Sequence, residues 1–114
     1  NNKNFIIIDA AMNDLMRPAL YGASHRILPA IKKNIKSKKI YEFVGPICES
    51  TDKFGTIKNF QELKEKELIV ICDVGAYGMS LSSNYNLRPK PVEILIKGSK
   101  TKVIKKRQKH EDII

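Results

Sequence analysis

The chain has 114 residues, the size of one domain, with 42% hydrophobic and 29% charged residues, a globular balance that excludes a disordered segment. No apolar run approaches the roughly 20 residues that span a bilayer, and Asn1 to Phe5 lack the apolar stretch and small-residue cleavage site of a secretion signal, so the cytoplasm is the expected location. The net charge of +9 is compatible with a nucleic acid or acidic lipid, but the only arginines are Arg17, Arg26, Arg88 and Arg107 and the lysines are scattered among Ile and Asn, so neither nucleic acid nor membrane is the expected partner.

Phe5 to Ala10 is a short β-branched run, which predicts a strand covered on both faces. Asn13-Asp14 marks a turn. Met16 to Tyr21 fits a single helical turn, with Pro18 in the first turn where its missing N–H costs little. Arg26 to Ile31 and Ile40 to Ile47 are strand candidates, joined by the Lys-rich connection Lys32 to Lys39. Phe60 to Glu65 is either one helical turn or an irregular loop. Leu68 to Val74 predicts another buried strand, ended by Gly75-Ala76-Tyr77-Gly78. Cys72 belongs to that run and is expected to be a small core residue. It forms neither a disulfide framework nor a metal-ligand spacing with Cys48. Met79 to Asn86 has no clear period. Val92 to Lys97 and Lys102 to Arg107 bracket Gly98-Ser99-Lys100 as a hairpin, and the tail from Glu111 forms a last turn. The sum is one mainly β unit over residues 1–114, with about six strands and short helical turns. It lacks the long amphipathic helices of a complete α/β enzyme, and a first strand opening at Phe5 reads as a cut through a larger protein.

Three segments carry chemistry. In Met16-Arg17-Pro18-Ala19-Leu20-Tyr21, Arg17 and Tyr21 are four apart and share a helical face. A guanidinium fork beside a phenol is suited to a carboxylate, although an Arg paired with a nearby Asp, with Tyr as core filler, is the simpler reading of these residues in isolation. In Val44-Gly45-Pro46-Ile47-Cys48-Glu49-Ser50, a thiol able to move a proton stands next to a carboxylate able to bind an ammonium. The plain alternative is a buried Cys and a solvated Glu. In Asp73-Val74-Gly75-Ala76-Tyr77-Gly78, glycines on both sides of a tyrosine allow backbone and phenol to approach an anion. Alone, it is an ordinary turn.

Taken in this order, with Asp9-Ala10-Ala11-Met12-Asn13-Asp14-Leu15 before the first, Met79 to Pro89 after the third, and Arg107, Glu111 and Asp112 at the close, the segments resemble the diaminopimelate decarboxylase family. These are pyridoxal phosphate (PLP) enzymes built like alanine racemase, and the likeness runs from Phe5 to Ile114. It implies that the chain is the C-terminal β domain, sandwich- or barrel-like, of an enzyme whose N-terminal (β/α)8 barrel carries the cofactor-bearing lysine. It further implies that diaminopimelate is converted to lysine and CO2, with Cys48 as proton donor and Arg17, Tyr21, Glu49 and Tyr77 as substrate-binding residues. Tyr77 also contacts PLP, no metal is involved, and the Cys48-Glu49 pair reaches into the partner's site of a homodimer. Without the barrel the chain is expected to be inactive.

Two other readings remain. One is a decarboxylase of the same fold acting on ornithine, arginine or a polyamine precursor. Such relatives typically carry Asp after the Cys, and their substrates offer no distal carboxylate to Arg17 and Tyr21. The other is a non-enzymatic basic β module, against which stands the lack of an aromatic stacking platform, with aromatics at 7% and no Trp.

Overall fold

The computed structural model describes residues 3–114. Its strands are β1 (Asn4–Ile7), β2 (Ile27–Pro29), β3 (Tyr41–Val44), β4 (Lys53–Ile57), β5 (Ile69–Ile71), β6 (Glu93–Lys97) and β7 (Lys100–Lys105). Single turns of helix, α1 (Arg17–Tyr21) and α2 (Gly75–Gly78), follow β1 and β5, and 3-10 turns occupy Met79–Leu81, Tyr85–Leu87 and His110–Asp112. The strands form three small sheets. In the first, β3 lies between β1, parallel to it, and β4, antiparallel to it; β2 pairs with β5 and β6 with β7, both antiparallel. The fold is mainly β, as the sequence predicts.

The core follows from alternation on β3 and β4. Tyr41, Phe43 and Phe54 point inward and meet Leu15, Ile27 and Phe60. Phe43 has no exposed surface and packs edge-on against Phe60, with ring centroids 5.2 Å apart, the geometry that the aromatic quadrupole favours. The charged connection before β3 is held by Gln61, a buried side chain whose Nε2 donates to Ile31 O at 2.9 Å and whose Oε1 accepts from Lys33 N–H at 2.8 Å. Phe60 to Glu65 is an irregular loop and not a helical turn.

Three expectations change. Among the described residues β1 pairs only with β3 and is an edge strand, and Phe5 and Ile7 face outward, at 52% and 71% exposure, so the strand is covered on one face. β5 is shorter than the apolar run around it. Leu68 and Val70 are exposed, and Cys72 lies half-buried beyond the strand's end instead of in the core. β4 was not foreseen from the sequence; Gly55 interrupts its pattern. The predicted hairpin is present as β6 and β7, and its base is closed where Gln108 N–H donates to Lys90 O at 3.0 Å and Gln108 Oε1 accepts from Lys90 N–H at 2.8 Å.

Candidate active site

The helical turn α1 opens with Pro18 in its first positions and ends at Gly22, whose φ of 64° lies in the left-handed region that glycine enters without penalty. The turn places Arg17 above Tyr21, with the guanidinium carbon 5.7 Å from the ring centroid. Tyr77, carried by α2 directly after β5, meets the same guanidinium from another side, also at 5.7 Å. Both distances are within cation–π range. The two rings are exposed and Arg17 is half-buried. Among the described residues no carboxylate pairs with Arg17, so its N–H donors remain available. The expectation of an Arg–Asp pair as the simpler reading does not hold here.

Arg17 and Tyr77 line an open pocket of about 290 Å³ together with Ser24, His25 and Asp73. Asp73 pairs with Arg26 at 3.2 Å on the surface. His25 Nδ1 lies 3.0 Å from Cys72 O. A carbonyl only accepts, so the proton is on Nδ1. The other ring nitrogen, Nε2, is enclosed and has no partner among the described residues.

Cys48 and Glu49 lie in the loop between β3 and β4, both exposed. One buried carboxylate organises that loop. Asp52, 2% exposed, accepts from Ile47 N–H at 2.8 Å and from Met12 N–H at 2.7 Å. It thereby fixes the Cys48 loop and fastens it to the segment before α1. Its backbone closes the same loop, with Gly45 N–H donating to Asp52 O at 3.0 Å and Asp52 N–H to Glu49 O at 3.1 Å. The carboxylate lies so close to Gly45 that a Cβ there would stand 2.3 Å from Asp52 Oδ2. Glycine is required at this position by space. Glu49 accepts from the Tyr85 hydroxyl and, at 3.5 Å, from Thr51 Oγ1. The hydrogen bond to Glu49, then the carboxylate's charge and then slight desolvation push the Tyr85 phenol above its ordinary pKa, so it stays protonated and donates.

A second buried network ties the segment before α1 to the turn carrying Tyr85. Asn13, fully buried, donates from Nδ2 to Ser83 O at 3.1 Å and accepts from Arg88 Nε at 2.9 Å. Arg88 also donates to Asp9 O at 2.6 Å. Asp14 lies within this network. Burial raises its pKa, and the charges of Asp9 and Asp52 add to the rise, while the Ala11 N–H and the Arg88 charge oppose it.

Of the five residues singled out in the sequence, the structure brings Arg17, Tyr21 and Tyr77 together and sets Cys48 and Glu49 in a second group. No hydrogen bond, ion pair or ring contact joins the groups among the described residues. The sequence reading missed Asn13, His25, Asp52 and Tyr85 as site-shaping residues. Asn13 and Asp52 show locally only as small polar residues near turns, and His25 and Tyr85 carry no such signal. For a phosphate-bearing cofactor, the donor set fits. Tyr77 is exposed, and nothing lies within 4 Å of where a Cβ on Gly75 would stand, so backbone and phenol are open to an anion together.

These sheets belong to a known class. The chain is a member of the pyridoxal-dependent decarboxylase C-terminal sheet domain family, whose model matches residues 1–75. Within that class the similarity is to diaminopimelate decarboxylases. The chain is 41% identical to the diaminopimelate decarboxylase of Aquifex aeolicus over 99% of its own length and 27% of that protein. It is 44% identical to the Vibrio cholerae enzyme over 94% of its length and 25% of that protein. The structure of the Helicobacter pylori enzyme complexed with L-lysine superimposes with a TM-score of 0.86 and 43% identity, covering 99% of this chain and 28% of that one. The chain thus spans about a quarter of the length of the curated relatives it matches.

Proposed function

We propose that this chain is the C-terminal domain of a cytoplasmic, homodimeric diaminopimelate decarboxylase, which converts meso-2,6-diaminopimelate to L-lysine and CO2 with pyridoxal phosphate. The observation that carries the reading is Arg17, held between the faces of Tyr21 and Tyr77 and paired with no carboxylate among the described residues. Such a guanidinium is a receptor for a carboxylate that the substrate brings. A substrate with a second carboxylate uses it, whereas ornithine has none to offer.

When bound, pyridoxal phosphate supplies an electron sink for the pair left behind as CO2 departs. The chain's own residues do the rest. Arg17 and Tyr21 bind the distal carboxylate and set the substrate's reach. Glu49 accepts from the distal ammonium. Tyr77 contacts the cofactor's side of the site. Cys48, exposed in the middle of its loop, delivers a proton to the carbon that lost CO2. We assign the Cys48-Glu49 loop to the partner subunit's site, a reading supported by the lack of any hydrogen bond, ion pair or ring contact between it and Arg17 among the described residues.

The test is a chimaera in which this chain replaces the matching C-terminal part of the Aquifex aeolicus enzyme. It should release CO2 from diaminopimelate and not from ornithine or arginine. Arg17→Ala should raise KM by about ten- to a hundredfold, the value of a charged hydrogen-bond pair. Cys48→Ala should lower kcat with KM little changed. Mixing slowed Cys48→Ala subunits with inactive subunits lacking the cofactor-bearing lysine should raise activity above that of either alone if the site is shared. A folded, cofactor-loaded chimaera that prefers ornithine or arginine, or is inert to diaminopimelate, overturns the reading.

A further inference from the structure

Glu49 is exposed, and an exposed carboxylate on a loop would ordinarily sample several rotamers. Here it is met by Tyr85, from a turn whose backbone is unusual. Asn86 and Leu87 have φ of 59° and 56°, consecutive left-handed residues without a glycine between them. For a branched side chain such as Leu this is an outlier. Strain of this kind persists only when the surroundings impose it, and the surroundings are specific. Asn13 and Ser83 exchange hydrogen bonds, Ser83 N–H to Asn13 O at 2.9 Å and Asn13 Nδ2 to Ser83 O at 3.1 Å. Asn84 Nδ2 donates to Arg88 O at 3.0 Å, and Tyr85 N–H to Ser83 Oγ at 3.3 Å. Arg88 closes the far end on Asn13 and on Asp9 O. A fully buried amide and a guanidinium therefore hold a strained turn whose outward product is the placement of one phenol.

We propose that Tyr85 is a positioning residue for Glu49, its hydroxyl holding the carboxylate in the orientation that receives a substrate ammonium group. The proposal rests on the reading of Glu49 as a substrate-binding carboxylate and deepens it. An ionised carboxylate has about four acceptor sites. Tyr85 and Thr51 occupy two of them, and those remaining are free for a ligand's donors with the carboxylate held in one orientation. A donor that supplies one hydrogen bond and no charge suits this task, because a Lys or Arg in its place would neutralise the carboxylate and compete with the ammonium.

Two measurements test it. In the chain itself, the Tyr85 phenol, followed by carbon-13 NMR at Cζ at low salt, should titrate above an ordinary tyrosine. The substitution Glu49→Gln should bring it back down. In the chimaera, Tyr85→Phe keeps the ring and removes the hydroxyl. It should raise KM for diaminopimelate by about two- to tenfold, the value of one net hydrogen bond, with kcat changing less. In a Glu49→Gln background the same substitution should add nothing, since residues in one hydrogen-bonded unit are not additive. An unchanged KM in Tyr85→Phe, or a full additional effect in the Glu49→Gln background, overturns the proposal, as does a Tyr85 titration indifferent to Glu49→Gln. If the Tyr85 titration responds to Glu49→Gln but the parent chimaera does not turn over diaminopimelate, the contact stands, and the assignment of the substrate is what fails.

Discussion

Asp52 is the residue whose removal should be felt most widely. Its carboxylate accepts from Ile47 N–H at 2.8 Å within the core and from Met12 N–H at 2.7 Å in a partly buried setting. Asp52→Ala strands both donors. A buried unpaired N–H costs about 1–3 kcal/mol, with the Ile47 group near the upper end and the Met12 group near the lower, because water can reach the latter. The sum is about 2–4 kcal/mol, a large share of the 5–15 kcal/mol typical of a folded domain. Asp52→Asn keeps one acceptor and turns an NH2 toward the other donor, so it should cost roughly half as much. Urea unfolding of each variant gives the midpoint, and an unchanged slope certifies that stability, and not the extent of unfolding, has changed. Gly45 supplies the internal control. Its added Cβ would meet Asp52 Oδ2 at 2.3 Å, so Gly45→Ala should be destabilising in the parent chain and close to neutral in Asp52→Ala, where the obstruction is gone. If Asp52→Ala costs less than about 1 kcal/mol, or if the two substitutions simply add, the carboxylate does not organise the loop as described.

Asp14 should titrate above an ordinary aspartate, and replacing Arg88 with Gln, which removes an opposing charge, should move it higher still. A carboxyl raised in the folded state favours folding most fully below its unfolded pKa and loses that contribution as pH rises through the folded value; a carbon-13 titration of Asp14 Cγ with a midpoint at or below the ordinary value would refute this. The exposed Ile94, Leu95, Ile96, Val103 and Ile104 on the β6–β7 hairpin, with Phe5 and Ile7 on edge strand β1, should make the chain associate once salt screens its +9 charge. Light scattering should therefore increase with ionic strength and fall again in Ile96→Lys with Ile104→Lys, and a monomer that persists in concentrated, high-salt solution would count against the hairpin as an association surface.

What the sequence made legible was local. Pro18 and the four-residue spacing of Arg17 and Tyr21 specify α1 without reference to the rest of the chain, and Gly98 between two runs rich in β-branched residues specifies the β6–β7 hairpin. Strand β4 escaped because it has five residues with Gly55 at the centre, so neither apolar alternation nor β propensity accumulates. β1 looked buried because Phe5-Ile6-Ile7-Ile8 is apolar throughout, and a run of one type cannot reveal which face lacks a cover. The site was harder to read for a different reason. Arg17 and Tyr77 are 60 positions apart and meet only through the docking of two single turns. Their association was expected from the family resemblance and from no spacing in the chain. Asp52 carries no sign at its own position that it will accept from Met12, 40 residues earlier.

That contrast follows from how a surface rich in reactive groups can be made rigid. Arg17, Tyr21 and Tyr77 stand on helical turns of five and four residues without side-chain caps, and Cys48 and Glu49 stand on a loop. A single helical turn lies far below the length at which helix formation sustains itself, and a loop has no ladder of hydrogen bonds to hold it. These groups therefore cannot be fixed by the elements that bear them. The order comes from beneath, through side chains that take no part in the proposed chemistry. Asp52 pins the Cys48 loop to Met12, and Asn13, one residue further on, pins the Tyr85 turn through Ser83 and Arg88. The segment before α1 is thus the common anchor of both supports, and it leads directly into the turn that carries Arg17. Two buried polar residues with paired hydrogen bonds set the relative placement of an exposed carboxylate, a thiol and a phenol.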